Sequence, residues 1–203
     1  RRKGFDVTLS ENANLTREQL KEIFAAYDAV IASVDNKISE EIINSASPTL
    51  KVIANYAVGH DNVDVMAAKR KGIVVTNTPG VASESLAEYT FALILACAKR
   101  LVEADKYVRT GHYQKWDPQS FVGPQIWGKT IGIVGLGKSG TYVGNIAFSG
   151  FKMKVLYYDL VRAEDFEMLA EAQFATLDQL LASSDIVTLH VPLTSKTKHF
   201  IGK

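Results

Sequence analysis

The sequence contains only one cysteine, Cys97, among 203 residues. A single cysteine excludes an intrachain disulfide framework and fits a reducing compartment, so we expect a cytoplasmic protein. Cys97 lies within the apolar run from Phe91 to Ala98. We therefore expect it to be buried and structural rather than a reactive thiol.

The sequence also lacks an apolar run long enough to cross a membrane. The run from Phe91 to Ala98 has eight residues, whereas a spanning helix needs ~20. The formal net charge is +1 and no basic stripe is present, which argues against nucleic acid or an anionic membrane as a partner. No initiator methionine opens the sequence, and we expect both ends to be cut from a longer protein.

What is present is an ordinary globular composition, with 47% hydrophobic and 22% charged residues. Short β-rich runs alternate with helical patterns, which predicts an α/β fold with mostly parallel sheets. The predicted strands are Phe5–Leu9, Ala29–Ser33, Val52–Asn55, Ile73–Thr76, Thr130–Gly135, Lys154–Tyr158, Gln173–Ala175 and Asp185–Val191. Shorter helices are predicted after a capping box at Thr16, from Ser39, and over Val63–Arg70, Lys138–Phe148, Glu164–Glu171 and Leu177–Ala182.

The strongest break in the pattern is the run Asn77-Thr78-Pro79-Gly80, where we predict a domain boundary. One long helix is predicted from about Ser83 towards Arg109. Because it is apolar around much of its circumference, we expect it to be buried between domains or subunits. The following stretch, residues 111–128, is predicted to be an irregular arm that packs on a partner chain.

The run Gly135-Leu136-Gly137-Lys138-Ser139-Gly140 is a complete G-x-G-x-x-G motif between a predicted strand and a predicted helix. In that context the glycines permit a tight turn, close approach of a pyrophosphate to the backbone, and close helix packing. The first helical N–H groups then face the phosphates. The motif therefore predicts dinucleotide binding, and Gly150 is predicted to stop the helix.

Asp159 ends the next predicted strand, 19 residues after Gly140, close to the interval of about 20 typical of this motif. A carboxylate there accepts hydrogen bonds from the adenosine ribose and repels a 2′-phosphate, which favours NAD over NADP. Arg162 follows three residues later and can weaken that preference.

Several motifs together closely resemble the D-isomer-specific 2-hydroxyacid dehydrogenase family, in particular its glyoxylate/hydroxypyruvate reductase branch. Phosphoglycerate and D-lactate dehydrogenases of the same family remain alternatives. The resemblance extends over essentially the whole sequence. The matching stretches are Asn55–Asp64, Gly72–Gly80, Arg100–Arg109, Trp116, Trp127–Gly135, Asp185–Leu193 and Thr197.

The resemblance implies a flavodoxin-like substrate domain over residues 1–80, lacking its first strand. A Rossmann NAD-binding domain would occupy residues 81–203, lacking its C-terminal part. The second domain would supply the contact of a homodimer. The implied substrate is a small 2-keto or 2-hydroxy acid, whose carboxylate would be held by backbone amides around Val58 and Gly59.

Further cofactor contacts follow from the same resemblance. They are Thr90 near the nicotinamide and Val191, Pro192 and Thr197 beside the cofactor. Lys138 and Ser139 replace the family's usual arginine and isoleucine. Lys138 keeps a cation near the pyrophosphate, whereas Ser139 loses apolar packing, so we expect weaker cofactor affinity at most.

No catalytic residue is assigned, because the family's arginine, glutamate and histidine follow the position matching Lys203. The segment alone is therefore expected to be inactive. The four histidines are interpreted as structural or exposed, and their spacing predicts no metal site: His60, His112, His190 and His199. The alternative is a non-catalytic, NAD-sensing dimeric regulator of the same family.

Overall fold

The protein is described from a computed structural model that covers residues 4–12 and 14–202. It divides into two compact units. The first contains the residues up to Pro79 together with those from Leu193 onwards, and the second is Gly80–Pro192. The domain boundary predicted after residue 80 lies next to this division, whereas the final residues, expected in the second domain, group with the first unit.

In the first unit, three helices surround a small parallel sheet with the strand order β1-β2-β3. The strands are β1 (Ala29–Ala32), β2 (Val52–Asn55) and β3 (Val74–Thr76), and the helices are α1 (Arg17–Ala26), α2 (Glu40–Asn44) and α3 (Val65–Arg70). Phe24, Ile43 and Ile53 are fully buried at the centre of its core. Burial of such side chains contributes roughly 1.5–3 kcal/mol each.

Local sequence signals fix the helices of this unit. The predicted capping box is present, because the Thr16 hydroxyl accepts from the Gln19 N–H while the Gln19 side chain accepts from the Thr16 N–H. Such caps contribute about 1 kcal/mol. The helix predicted from Ser39 is also confirmed, with Ile42 and Ile43 both buried.

The predicted strand Phe5–Leu9 is wrong. The segment forms no strand, and its apolar side chains are exposed, Phe5 at 69% and Leu9 at 85%. Alternating apolar residues become a strand only where a neighbouring backbone completes the hydrogen-bond ladder. Among the described residues, β1 pairs only with β2, so the segment does not complete a ladder on the other edge of β1.

The second unit has a four-stranded parallel sheet with the order β6-β5-β4-β7. This is the strand order 3-2-1-4 of the first part of a doubly wound fold, and the prediction of α/β structure with parallel sheets is confirmed. The strands are β4 (Thr130–Val134), β5 (Lys154–Tyr158), β6 (Gln173–Phe174) and β7 (Ile186–Leu189). The helices are α4 (Ser83–Ala98), α5 (Leu101–Arg109), α6 (Lys138–Phe151), α7 (Glu164–Ala170) and α8 (Leu177–Ser183).

The core of this unit lies between the sheet and helices α4, α6 and α7. Ile131, Ile133 and Tyr157 are fully buried on the strands. Val143 and Ala147 of α6 pack into the same cluster. Together they fix the position of α6 against the end of β4.

The single long helix predicted from Ser83 to Arg109 is wrong, because α4 and α5 are separate. Arg100 lies between them in the left-handed region, with φ 52°. Its guanidinium bonds Glu103 and lies 5.4 Å from the centre of the Phe121 ring. A Cβ at Gly123 would overlap the Ala98 carbonyl, so the returning chain packs on the last turn of α4.

The expected burial of α4 on several sides is not seen within this chain. The helix buries Ala87 and Phe91, while Leu86, Tyr89 and Leu93 are 45–62% exposed. The prediction that Cys97 is buried is wrong, since its side chain is exposed. The apolar residues of α4 therefore form both a buried face and an exposed face of the helix.

The stop predicted at Gly150 is also misplaced. Helix α6 continues to Phe151 and ends at Lys152, which takes the left-handed conformation with φ 51°. The N–H of Met153 bonds the Ala147 carbonyl, and the Met153 side chain is 2% exposed. Burial of Met153 therefore fixes where the helix ends.

Candidate functional site

In the sheet of the second unit, β4 lies beside the edge strand β7, and the strand order reverses direction between these two neighbours. Parallel sheets bind ligands at such a switch point, beside the carboxyl ends of the strands. Gly135 follows β4 directly, and His190 and Val191 follow β7. The glycine-rich turn therefore opens at the position where this fold holds its ligands.

Gly135 is required by both its conformation and its neighbours. Its φ is +94°, a value that other residues rarely adopt. A Cβ at this position would lie 2.8 Å from the His190 carbonyl oxygen and 2.9 Å from a Val191 methyl carbon. Only glycine lets the chain leave β4 this close to the end of β7.

Gly140 and Gly137 have different surroundings. A Cβ at Gly140 would overlap the Gly135 carbonyl, so this glycine holds the first turn of α6 against the loop. At Gly137, which precedes the helix, a Cβ would meet nothing within 4 Å. That space lies at the helix N-terminus, whose first amides have no partner inside the helix. A pyrophosphate fits this combination of open space and N–H donors.

Asp159 follows β5 and binds the glycine-rich turn. Its two carboxylate oxygens accept from the N–H groups of Leu136 and Leu160, both at 2.6 Å. Since each carboxylate oxygen can accept more than one hydrogen bond, capacity remains for ribose hydroxyls. The sequence predicted a ligand contact here, and the structure adds a second role in holding the loop.

The two unusual residues of the motif lie on the first turn of α6. Lys138 is exposed and its ammonium lies against Gly80. The hydrogen bond from the Tyr142 hydroxyl is the largest cause of a lowered pKa of Glu84, and the positive charge of Lys138 makes a smaller contribution in the same direction. Ser139 is partly buried.

Arg162, which was expected to weaken the preference for NAD, is held by an acidic neighbour. Its guanidinium donates to both carboxylate oxygens of Glu167, at 2.8 and 2.7 Å. The buried Tyr157 donates its hydroxyl to the same carboxylate at 2.6 Å. These hydrogen bonds, first from Arg162 and then from Tyr157, lower the pKa of Glu167 to about 2.

The remaining residues matched to cofactor contacts are spread over both units. Val191 is partly buried against Gly135, and Pro192 follows it. Thr90 is partly buried on α4 and donates to the Leu86 carbonyl at 2.8 Å. Thr197 belongs to the first unit, where its hydroxyl accepts from the Thr194 N–H at 2.7 Å.

Val58 and Gly59 lie in the loop after β2, in the first unit. Val58 is 51% exposed. A Cβ at Gly59 would lie 3.1 Å from an Asp61 carboxylate oxygen, so a side chain there would crowd the loop.

Three asparagines around this loop were missed by the sequence analysis. Asn55 is 2% exposed and donates to the Gly59 carbonyl, while Asn77 donates to the Val58 carbonyl, both at 2.8 Å. Asn62 exchanges hydrogen bonds with Asn55 at 3.0 and 3.1 Å. All three lie in the stretches Asn55–Asp64 and Gly72–Gly80, which resemble the family, and this resemblance was the signal that could have identified them.

His190 lies at the carboxyl end of β7, next to the glycine-rich turn. It is partly buried after β7, and its Nε2 lies 3.0 Å from the Thr188 hydroxyl. Burial lowers the pKa of its imidazole. Across the described part of the chain, no three His, Cys, Asp or Glu side chains cluster as metal ligands would.

Comparison with protein families supplies the decisive match. Residues 91–203, more than half of the chain, match the model of the D-isomer specific 2-hydroxyacid dehydrogenase, NAD binding domain. The chain belongs to the D-isomer specific 2-hydroxyacid dehydrogenase family. The matched range contains the glycine-rich turn and Asp159.

Curated relatives agree with this family. The chain is 47% identical over 177 residues to the glyoxylate reductase of Korarchaeum cryptofilum, covering 87% of this chain and 53% of that protein. It is 44% identical over 202 residues to the glyoxylate reductase of Thermofilum pendens, covering 98% and 59%. The chain thus spans between half and three fifths of the length of these relatives.

Solved structures have the same fold. The TT0316 protein of Thermus thermophilus superposes with a TM-score of 0.91 at 36% identity, covering 98% of this chain and 62% of that one. A D-lactate dehydrogenase from Aquifex aeolicus, complexed with NAD and lactic acid, gives a TM-score of 0.78 at 34% identity, covering 87% of this chain and 52% of that one.

Within residues 4–12 and 14–202, no helix has the length and apolar character needed to cross a bilayer.

Proposed function

We propose that the protein carrying this chain is an NAD-dependent oxidoreductase that interconverts a 2-keto acid and a D-2-hydroxy acid, with glyoxylate as the preferred keto acid. The observation that carries the proposal is the glycine-rich turn with Asp159 at the β4–β7 switch point, within the range matched to the family's NAD-binding domain. Relatives named glyoxylate reductase support the substrate class.

In this proposal the chain binds and orients the cofactor. The amides that begin α6, with Gly135, Gly137 and Gly140 around them, hold the pyrophosphate, and Asp159 holds the adenosine ribose. When bound, NADH supplies the hydride that reduces the keto carbon. The other proposed cofactor contacts are Lys138, Ser139, Val191, Pro192, Thr197 and Thr90.

The proposed preference for NAD over NADP rests on two carboxylates. Asp159 places negative charge where a 2′-phosphate would lie. Glu167 binds Arg162 through two hydrogen bonds, and its negative charge offsets the attraction of the guanidinium for a phosphate. This pairing supports the preference that Arg162 was expected to weaken.

For the substrate, we propose that backbone N–H groups at Val58 and Gly59 bind the carboxylate. Residues 1–80 would form the substrate-binding domain and residues 81–203 the NAD-binding domain. Amides can bind an anion without a charged side chain when several of them point to one place. The loop is exposed, as a substrate contact requires.

We further propose a cytoplasmic homodimer formed through the second unit. Leu86, Tyr89 and Leu93 leave an apolar face on α4, and Trp116 in the following arm is 76% exposed. Large exposed apolar patches mark interfaces more often than free surface. Light scattering of the complete protein is expected to give twice the monomer mass, and a Leu93→Glu variant is expected to reduce it to one monomer.

The enzymatic proposal is tested by following NADH oxidation by the complete protein with glyoxylate, hydroxypyruvate and pyruvate. We expect turnover that is fastest with glyoxylate and slower with NADPH at equal concentration. NADH binding without turnover of any 2-keto acid would instead favour a non-catalytic NAD-sensing regulator of the same family.

A further inference from the structure

The loop after β2 has an unusual arrangement of its peptide groups. Three successive carbonyls are each held from inside the first unit: that of Ala57 by the Thr78 N–H at 2.9 Å, that of Val58 by the Asn77 side chain and that of Gly59 by the Asn55 side chain, both at 2.8 Å. All peptide bonds in the described residues are trans, so each N–H points away from the carbonyl of its own peptide group.

The N–H groups of the same three peptide units belong to Val58, Gly59 and His60. They lie on the side opposite to the bound carbonyls. Within the described ranges, none of them donates to a protein acceptor. Since the carbonyls are fixed, each of these three successive N–H groups points away from the group that holds the carbonyl of the same peptide unit. A row of backbone donors is the arrangement that binds a carboxylate.

The anchoring side chains are themselves held in place. Asn55 is almost fully buried, and its amide exchanges two hydrogen bonds with Asn62. The Asn62 amide also donates to the Ser33 carbonyl at 3.2 Å, which ties the loop to the end of β1. Asn77 reaches the loop from the segment after β3, where it is exposed.

We propose that Asn55 and Asn77, supported by Asn62, are positioning residues for the substrate carboxylate. They touch no substrate, and they act by orienting the peptide units whose N–H groups bind it. This inference rests on the proposed function, because it assumes that the loop binds the carboxylate of a 2-keto acid. It adds to that proposal the residues that set the geometry of the site.

Asn77 gives the cleaner test, since it is exposed and its substitution leaves the core of the first unit intact. In the complete protein, Asn77→Ala removes one hydrogen bond to the loop. We expect the KM for glyoxylate to rise about two- to tenfold, the effect of one lost hydrogen bond. The kcat is expected to change less, and the Kd of NADH by calorimetry is expected to stay within twofold.

Two further variants separate positioning from general damage. Asn77→Gln keeps an amide donor and is expected to recover part of the KM. Asn44→Ala removes an exposed asparagine side chain from α2 in the same unit and is expected to leave the KM unchanged. Oxamate, a carboxylate that is not reduced, is expected to bind more weakly to Asn77→Ala by the same factor as the KM rises.

Equal KM and equal oxamate affinity in Asn77→Ala and an active parent would overturn the inference and leave the proposed function standing. A KM increase that is accompanied by an equal loss of NADH affinity would also overturn it, because a positioning role in the substrate loop does not extend to the cofactor. A parent that neither reduces glyoxylate nor binds oxamate would overturn both proposals.

Discussion

Two loops of this molecule present backbone N–H groups, and they are built in opposite ways. The turn from Gly135 to Gly140 is shaped by missing side chains, because a Cβ at either of these glycines would strike backbone atoms. The loop at Val58 and Gly59 is shaped by added side chains, since two asparagine amides hold its carbonyls. One loop is made by close packing and the other by hydrogen bonds.

The difference predicts how each loop responds to substitution. A backbone held by packing tolerates no added atom, and overpacking costs typically 1–3 kcal/mol. A backbone held by a single side-chain hydrogen bond loses about 1 kcal/mol when that bond is removed. Substitutions in the glycine-rich turn should therefore be more damaging than those around the asparagine-held loop.

The largest effect is expected for Gly140→Ala in the complete protein. The new methyl group would overlap the Gly135 carbonyl, so α6 must shift away from the turn. We expect a loss of stability of about 1–3 kcal/mol and at least a tenfold weaker Kd for NADH. Thermal unfolding measures the stability and calorimetric titration measures the Kd. If both values equal those of the wild type, close packing at Gly140 does not determine the shape of the turn.

Asp159→Ala is expected to have the next largest effect. It removes the negative charge at the ribose position and the acceptor of the Leu136 N–H. We expect the ratio of NADPH to NADH dissociation constants to fall by about tenfold, the equivalent of 1.4 kcal/mol. An unchanged ratio would show that Asp159 supports the loop but does not select the cofactor.

Glu167→Gln tests the ion pair beside the turn through its pH dependence. Because the pKa of Glu167 is lowered to about 2 from a usual 4.5, its contribution to stability is complete above pH 4.5 and is lost as pH falls towards 2. The variant should show a shallower decline in the free energy of unfolding over this range in urea titrations. Parallel profiles for variant and parent would contradict the assignment.

The smallest effect, and of opposite sign, is expected for Gly150→Ala. This glycine lies inside α6, and a Cβ there would approach nothing closer than 3.9 Å, the Ile146 Cγ2 atom. Alanine is favoured over glycine in a helix interior by about 0.5–1 kcal/mol, so the thermal midpoint should rise. A lower midpoint would show that the helix does end at Gly150, as the sequence suggested.

The sequence predicted the elements whose signals are local. The G-x-G-x-x-G motif, the capping box at Thr16 and the buried strands β4 and β5 depend on neighbouring residues, and all were found where expected. Asp159 was recognisable from its spacing, although its bond to the Leu136 N–H was not.

What the sequence did not predict depends on contacts that no local pattern identifies. Asn55 and Asn62 become a pair only when the loop after β2 closes on itself, and no spacing rule identifies them. The break between α4 and α5 is set by Phe121 and Gly123, more than twenty residues further along. In both cases the contacts that determine the backbone form only once the chain has folded.

Hydrogen–deuterium exchange of the complete protein, with and without saturating NADH, tests the central claim most directly. If NADH binds at the end of β4, exchange should slow in the amides of residues 136–141, at the start of α6, and around Asp159 and Leu160. The amides of Val58 and Gly59 should slow only when a carboxylate such as oxamate is added. NADH-dependent protection that leaves residues 136–141 unchanged would contradict the account.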